Sequence, residues 1–152
     1  MSDCLLGNGR SGKDRYTLQA HCSGTSPSAN NTYYYAGRFA IAAQTTGTWA
    51  RIFIPATGTI TAIYSWITAT TLGSSANQTL YIRVNNTTDY LVANDYDIST
   101  GASNIANFGG ETLSIAVTAG DYIEMKWVTP NPWATPGTSI YWFHTILIES
   151  TV

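Results

Sequence analysis

The chain has 152 residues, of which 44% are hydrophobic, 12% aromatic and only 11% charged, with a formal net charge of −2. One domain with its own core is expected at this length. Nucleic-acid binding is disfavoured, because neutralising phosphates takes many lysines and arginines, and no apolar run is long enough for a membrane-spanning helix.

Residues 1–32 read as a short extended N-terminal arm. It is made slightly basic by Arg10, Lys13 and Arg15, ahead of a slightly acidic body over 33–152. The stretch GNGRSGKD, residues 7–14, fits a phosphate-binding loop except at its end, where Asp14 replaces the Ser or Thr hydroxyl that ligates Mg²⁺. Too little chain precedes it for a central strand, and no helix pattern follows, so a Gly-rich arm is the better reading. The first residues lack the apolar segment of a secretory signal, so synthesis in a cytosol is expected. In that compartment Cys4 and Cys22 are read as free thiols rather than a bridge. With His21 they lack a fourth zinc ligand.

Beyond the arm, runs rich in Thr, Tyr, Trp, Ile and Val recur between clusters of Gly, Asn, Pro and Ser, which is the pattern of strands and turns. Strands are expected over 34–43 and over 49–54, the second ended by Pro55. The next, over 59–69, places Ile60, Ala62, Tyr64 and Trp66 on one face and Thr61, Ile63, Ser65 and Ile67 on the other. Both faces are apolar enough to be covered, one by core and the other by a neighbouring subunit. Strands over 78–85 and 89–93 flank the turn NNTT and read as a hairpin. The stretch 94–110 reads as a long loop. Strands over 111–117 and 122–129 are joined by the turn TAGD, and the loop NPWATPG precedes a last strand over 138–149. Eight strands with regular turns point to an all-β protein, a jelly-roll β-sandwich.

Catalytic patterns are sparse. The histidines are His21, in the arm, and His144, on an aromatic strand where a core or interface role is expected. No G-x-S-x-G elbow is present. Asn94, Asp95 and Asp97 could offer oxygens to an ion, but EF-hand spacing is missing and a solvated loop is the simpler reading. No cofactor is implied. The sequons at Asn30, Asn77, Asn85 and Asn86 read as polar loops. The abundance of aromatics is the anomaly: ten tyrosines and five tryptophans exceed what one core needs. Trp133 in particular sits in a loop, where it either marks an interface or sugar-stacking platform, as exposed aromatics do, or folds over the sandwich end as a plug.

Three motifs, RIFIPATGTITAIYSW, LYIRVNNTTDYLV and LSIAVTAGDYIEMKWVTPNPWATPG, carry a resemblance over 33–149. The body resembles small bacteriophage virion proteins: the trimeric jelly rolls of fibre tips and of capsid decoration (cement) proteins, with a topology similar to C1q and tumour-necrosis-factor heads. The resemblance implies a non-enzymatic homotrimer that binds the major capsid protein lattice on the virion surface. The arm, through Arg10, Lys13, Arg15 and Tyr16, would then touch the capsid, and Ile63 and Ile67 would lie at the subunit interface. The alternative it implies is a fibre head that binds a host surface glycan or receptor through Tyr90, Tyr96 and Trp133.

Overall fold

The computed structural model describes residues 14–25, 32–36, 51–69, 77–97, 105–129 and 140–151, and over these the β-branched and aromatic runs form strands. Among these residues the strands are β1 (Arg15–Thr25), β2 (Thr32–Tyr35), β3 (Ile52–Phe53), β4 (Gly58–Ala69), β5 (Asn77–Val84), β6 (Thr88–Asp97), β7 (Ile105–Val117), β8 (Tyr122–Val128) and β9 (Ile140–Ser150).

Their pairing is nested. β1 lies antiparallel to β9, β2 to β8, β4 to β7 and β5 to β6. The chain is thus one long hairpin whose tip is the β5–β6 turn. Rolling that hairpin up sets β4 beside β9 and β5 beside β8. The result is two antiparallel sheets, ordered β1-β9-β4-β7 and β2-β8-β5-β6, with the two-residue β3 added on β8. This is the eight-stranded jelly roll. At its tip Asn85 and Asn86 both take positive φ, 51° and 58°, which asparagine tolerates and a tight hairpin turn needs.

The sandwich is filled by a chain of rings crossing from sheet to sheet. Tyr33 lies 5.4 Å from Trp127, Trp127 meets Trp142 edge-on at 5.7 Å, and Trp142 stacks on His144 at 5.4 Å, with the Tyr35 ring 5.5 Å from that of His144. Ile54, Ile60, Ile63, Ile67, Leu80, Ile82, Ile123, Ile146 and Ile148 pack around it. Many of the aromatics that looked surplus are therefore core. Each such side chain contributes roughly 1.5–3 kcal/mol by leaving water.

Four expectations are corrected. Residues 15–25, assigned to the arm, form an edge strand of the sandwich, with Tyr16, Leu18, Ala20 and Cys22 turned toward the core. The stretch 94–110, read as a loop, is largely strand, because β6 runs on to Asp97 and β7 starts at Ile105. Of the strand expected over 49–54, residues 49–50 lie outside the described residues, and of the rest only Ile52–Phe53 is strand. Ile63 and Ile67, placed at a subunit interface, are 0% exposed within this one chain. The last correction has a local cause. The pairing of β4 shifts between Ile60 and Ala62 against both neighbours, so Thr61 is an extra residue. A bulge of this kind reverses which parity faces inward.

Candidate functional site

The two outer faces of the sandwich differ in chemistry. Past the bulge, β4 turns Tyr64 and Trp66 outward, 52% and 39% exposed, and β9 presents Tyr141 at 37%. Register places His21, Phe143 and Trp66 on one rung across β1, β9 and β4. Trp66 and Phe143 stack at 4.4 Å with planes 19° apart, and His21 stacks on Phe143 at 6.5 Å. On the next rung lie Gln19, Thr145 and Tyr64, where the Gln19 amide donates to Thr145 Oγ1 at 3.1 Å. Tyr141 and Thr68 occupy the rung on the other side. The face is aromatic and amide/hydroxyl in character. Its one ion pair among the described residues, Arg15 with Glu149 at 2.7 Å, lies at its far end.

The other sheet carries charge on its outside. Arg51 lies over the Tyr122 ring at 4.1 Å, Lys126 over Tyr81 at 5.0 Å and Arg83 over Tyr34 at 5.1 Å. Such contacts hold long cationic side chains flat on the sheet. Lys126 pairs with Asp89 at 2.5 Å, and Arg83 donates to the Tyr34 hydroxyl at 2.7 Å and the Asn86 carbonyl at 2.8 Å. Glu124 sits among them with its side chain out of water, 3.8 Å from Arg83 Nε. Burial pushes its carboxyl up to about 7; Arg83 and Arg51 pull it down, and Asp89 pushes it further up.

Loops tie one end of the sandwich. Asn85 donates to Asp121 Oδ1 at 2.8 Å and accepts from the Tyr122 amide, and the Thr118 amide donates to Asp121 Oδ2 at 2.7 Å. These bonds, that from Asn85 first, hold the Asp121 carboxyl below its ordinary range.

His144 is a core residue. Tyr35 Oη lies 2.8 Å from its Nε2 and Ser65 Oγ 2.7 Å from its Nδ1. Burial lowers its pKa to about 3, so the ring is neutral. Ser65 is itself buried, and the three groups satisfy one another. Cys22 is a free, buried thiol, pushed up to about 12 by burial and so held protonated.

The other expected site residues scatter. Arg10, Lys13, Cys4 and Trp133 lie outside the described residues, as does the strip GNGRSGK. Arg15 is paired with Glu149, and the half-buried Tyr16 donates to the Ala56 carbonyl at 2.8 Å. Tyr90 packs against the core rather than standing free. Asn94, Asp95, Tyr96 and Asp97 belong to β6, and their side chains lie outside the described residues. Among the described residues no His, Cys, Asp and Glu side chains gather as a metal site would require. The residues that sequence reasoning passed over are Tyr64, Trp66, Tyr141 and Phe143. Their aromatic character was visible, but their outward direction was not.

No family model matches the chain. No curated protein matches it. Among solved structures it is similar in fold to a chain of the cyanophage Pam1 capsid asymmetric unit, with TM-score 0.57 and 10% identity, covering 99% of this chain and 94% of that one. At that identity the likeness shows a shared fold. Weaker likenesses are to a chain of infectious bursal disease virus, Gx strain (TM-score 0.46, 14% identity, 90% of this chain and 32% of that one), and to latent PorU from Porphyromonas gingivalis (TM-score 0.43, 10% identity, 95% and 14%). Neither reaches 0.5 and neither bears on function.

Proposed function

We propose that the chain is a non-enzymatic structural protein of a phage virion, a homotrimeric decoration protein that binds the major capsid protein lattice from outside. The observation that carries this reading is the end-to-end likeness to a capsid component of cyanophage Pam1, 99% of this chain against 94% of that one. The low charge agrees with it, since a decorating subunit must pack closely against neighbours. Stabilisation of the shell follows by mass action: a ligand with affinity for the assembled lattice and none for its separated parts lowers the free energy of the assembly. Residues ahead of β1, Arg10 and Lys13 among them, are the proposed capsid contact, with the exposed Arg15 at the base of that segment.

Gold-labelled antibody against the chain, applied to virions from cells that make it, tests this reading in the electron microscope. Label over the whole shell is expected. Label confined to tail or fibre ends would replace decoration with receptor or glycan binding, and unlabelled virions would overturn the virion reading itself.

A further inference from the structure

We propose that the outer face of sheet β1-β9-β4-β7, centred on Tyr64, Trp66, Tyr141 and Phe143, is the surface through which copies of this chain associate. The inference deepens the decoration reading by naming a subunit interface, and it displaces the Ile63 and Ile67 face from that role.

Three observations select a second copy as the occupant. The first is charge. On the three central rungs, at Ser23–Tyr141–Thr68–Ile105, His21–Phe143–Trp66–Asn107 and Gln19–Thr145–Tyr64–Gly109, no position holds Asp, Glu, Lys or Arg. Near a symmetry axis, three-fold as well as two-fold, copies bring equivalent residues close to one another, so a neutral face associates without repulsion and without burying an unpaired ion. The nearest ion pair, Arg15 with Glu149, is satisfied within the chain.

The second is the attitude of the rings. Trp66 and Phe143 stack on each other at 4.4 Å and 19°. Each of these two rings thus spends a face on its neighbour, and side chains on a sheet stand roughly perpendicular to it, so this pair turns its edges outward. A sugar needs an open aromatic face, whereas ring edges pack against the rings of a protein partner in the edge-to-face manner.

The third is size and contrast. Four strands about 4.8 Å apart and five rungs about 6.8 Å apart, the fifth being the paired Arg15–Glu149 rung, make a face of roughly 650 Å², close to the ~800 Å² that each partner gives to a standard interface. The opposite sheet exposes Phe53 and Leu91 as well, but singly, among Arg51, Arg83, Lys126, Asp89 and Glu124, which are tied to one another and to tyrosine rings.

Light scattering on the purified full chain over a wide concentration range tests the proposal. Capsids are absent from that experiment, so its failure is separate from any failure of shell labelling. The wild type is expected at a multiple of the chain mass. The Tyr64→Ser/Trp66→Ser double variant is expected at the single-chain mass with its strand circular dichroism unchanged, and Leu91→Ser, on the other sheet, is expected to stay associated. Hydroxyl-radical footprinting of the wild type needs no variant: Tyr64 and Trp66 should be protected when concentrated and modified on dilution. A wild type at single-chain mass, or a folded double variant at wild-type mass, would overturn the proposal. A single-chain wild type retained on a polysaccharide matrix through Trp66 would overturn it in favour of a sugar platform.

Discussion

Ile60 and Ile63 stand three residues apart on one strand, yet both side chains are fully buried in the same core. Strict alternation forbids this, because residues an odd number apart point to opposite faces. The extra residue at Thr61 reconciles them and hands the outside of β4 to Tyr64 and Trp66. The consequence is directly measurable. In dilute solution Ile63→Ala should cost about 2–5 kcal/mol, as other large-to-small core substitutions do, while Tyr64→Ala should stay within about 1 kcal/mol. Urea denaturation of the two variants decides the matter, and the reverse ranking would mean that β4 has the opposite phase.

Gly58 opens the same strand where it is squeezed between β7 and β9, opposite Val117 and Ser150. A Cβ there would run into the backbone carbonyl of Glu149, which a paired strand cannot easily move. Gly58→Ala should therefore destabilise by about 1–3 kcal/mol, the usual range for overpacking. Thermal melting would show it, and an unchanged midpoint would mean that the strand ends part without cost.

How much of this was legible depended on whether one residue type carried the signal. The β5–β6 turn was, because paired asparagines between alternating strands point to a hairpin. The β7–β8 turn was also legible, from Gly120 beside Asp121, and the φ of 93° found there is one that glycine adopts readily. The alternation Tyr16, Leu18, Ala20, Cys22 was present in the sequence too, but a Gly-rich basic neighbour drew β1 into the arm. The phase of β4 was not legible. Both parities of that strand are apolar, so a bulge leaves no trace in the pattern. The contact of Ser65 with His144 spans 79 residues and follows from the rolling-up of the hairpin, which no local pattern encodes.

Cys22 offers a test of β1 itself. The thiol is buried, and its pKa is pushed up to about 12, so little thiolate exists at neutral pH. With Cys4 replaced by Ser, Cys22 should react with a thiol reagent at pH 8 only as denaturant unfolds the chain, and the reaction midpoint should match the unfolding midpoint. Prompt reaction under native conditions would place residues 15–25 outside the sandwich.

Glu124 and His144 make the pH dependence of stability a contest between two buried groups of opposite sign. Glu124 keeps its proton in the fold up to about 7, against an ordinary 4.5. Between those values the folded chain binds more protons than the unfolded one, so this contribution is full below pH 4.5 and is lost as pH rises through 7. His144 stays neutral in the fold down to about 3, against an ordinary 6.5. Its contribution is full above pH 6.5 and is lost as pH falls toward 3. Over roughly pH 4.5–6.5 the two slopes oppose each other, one proton each. Glu124→Gln removes one side of the contest. The variant should gain on the order of 2 kcal/mol over the wild type above pH 7. Its stability should then fall more steeply than the wild type's on acidification from pH 6.5 to 4.5, as the His144 slope stands unopposed. Urea midpoints at intervals from pH 4 to 8 read both effects. A variant weaker than the wild type at pH 8 would show that attraction to Arg83 and Arg51 outweighs the cost of burying the carboxylate.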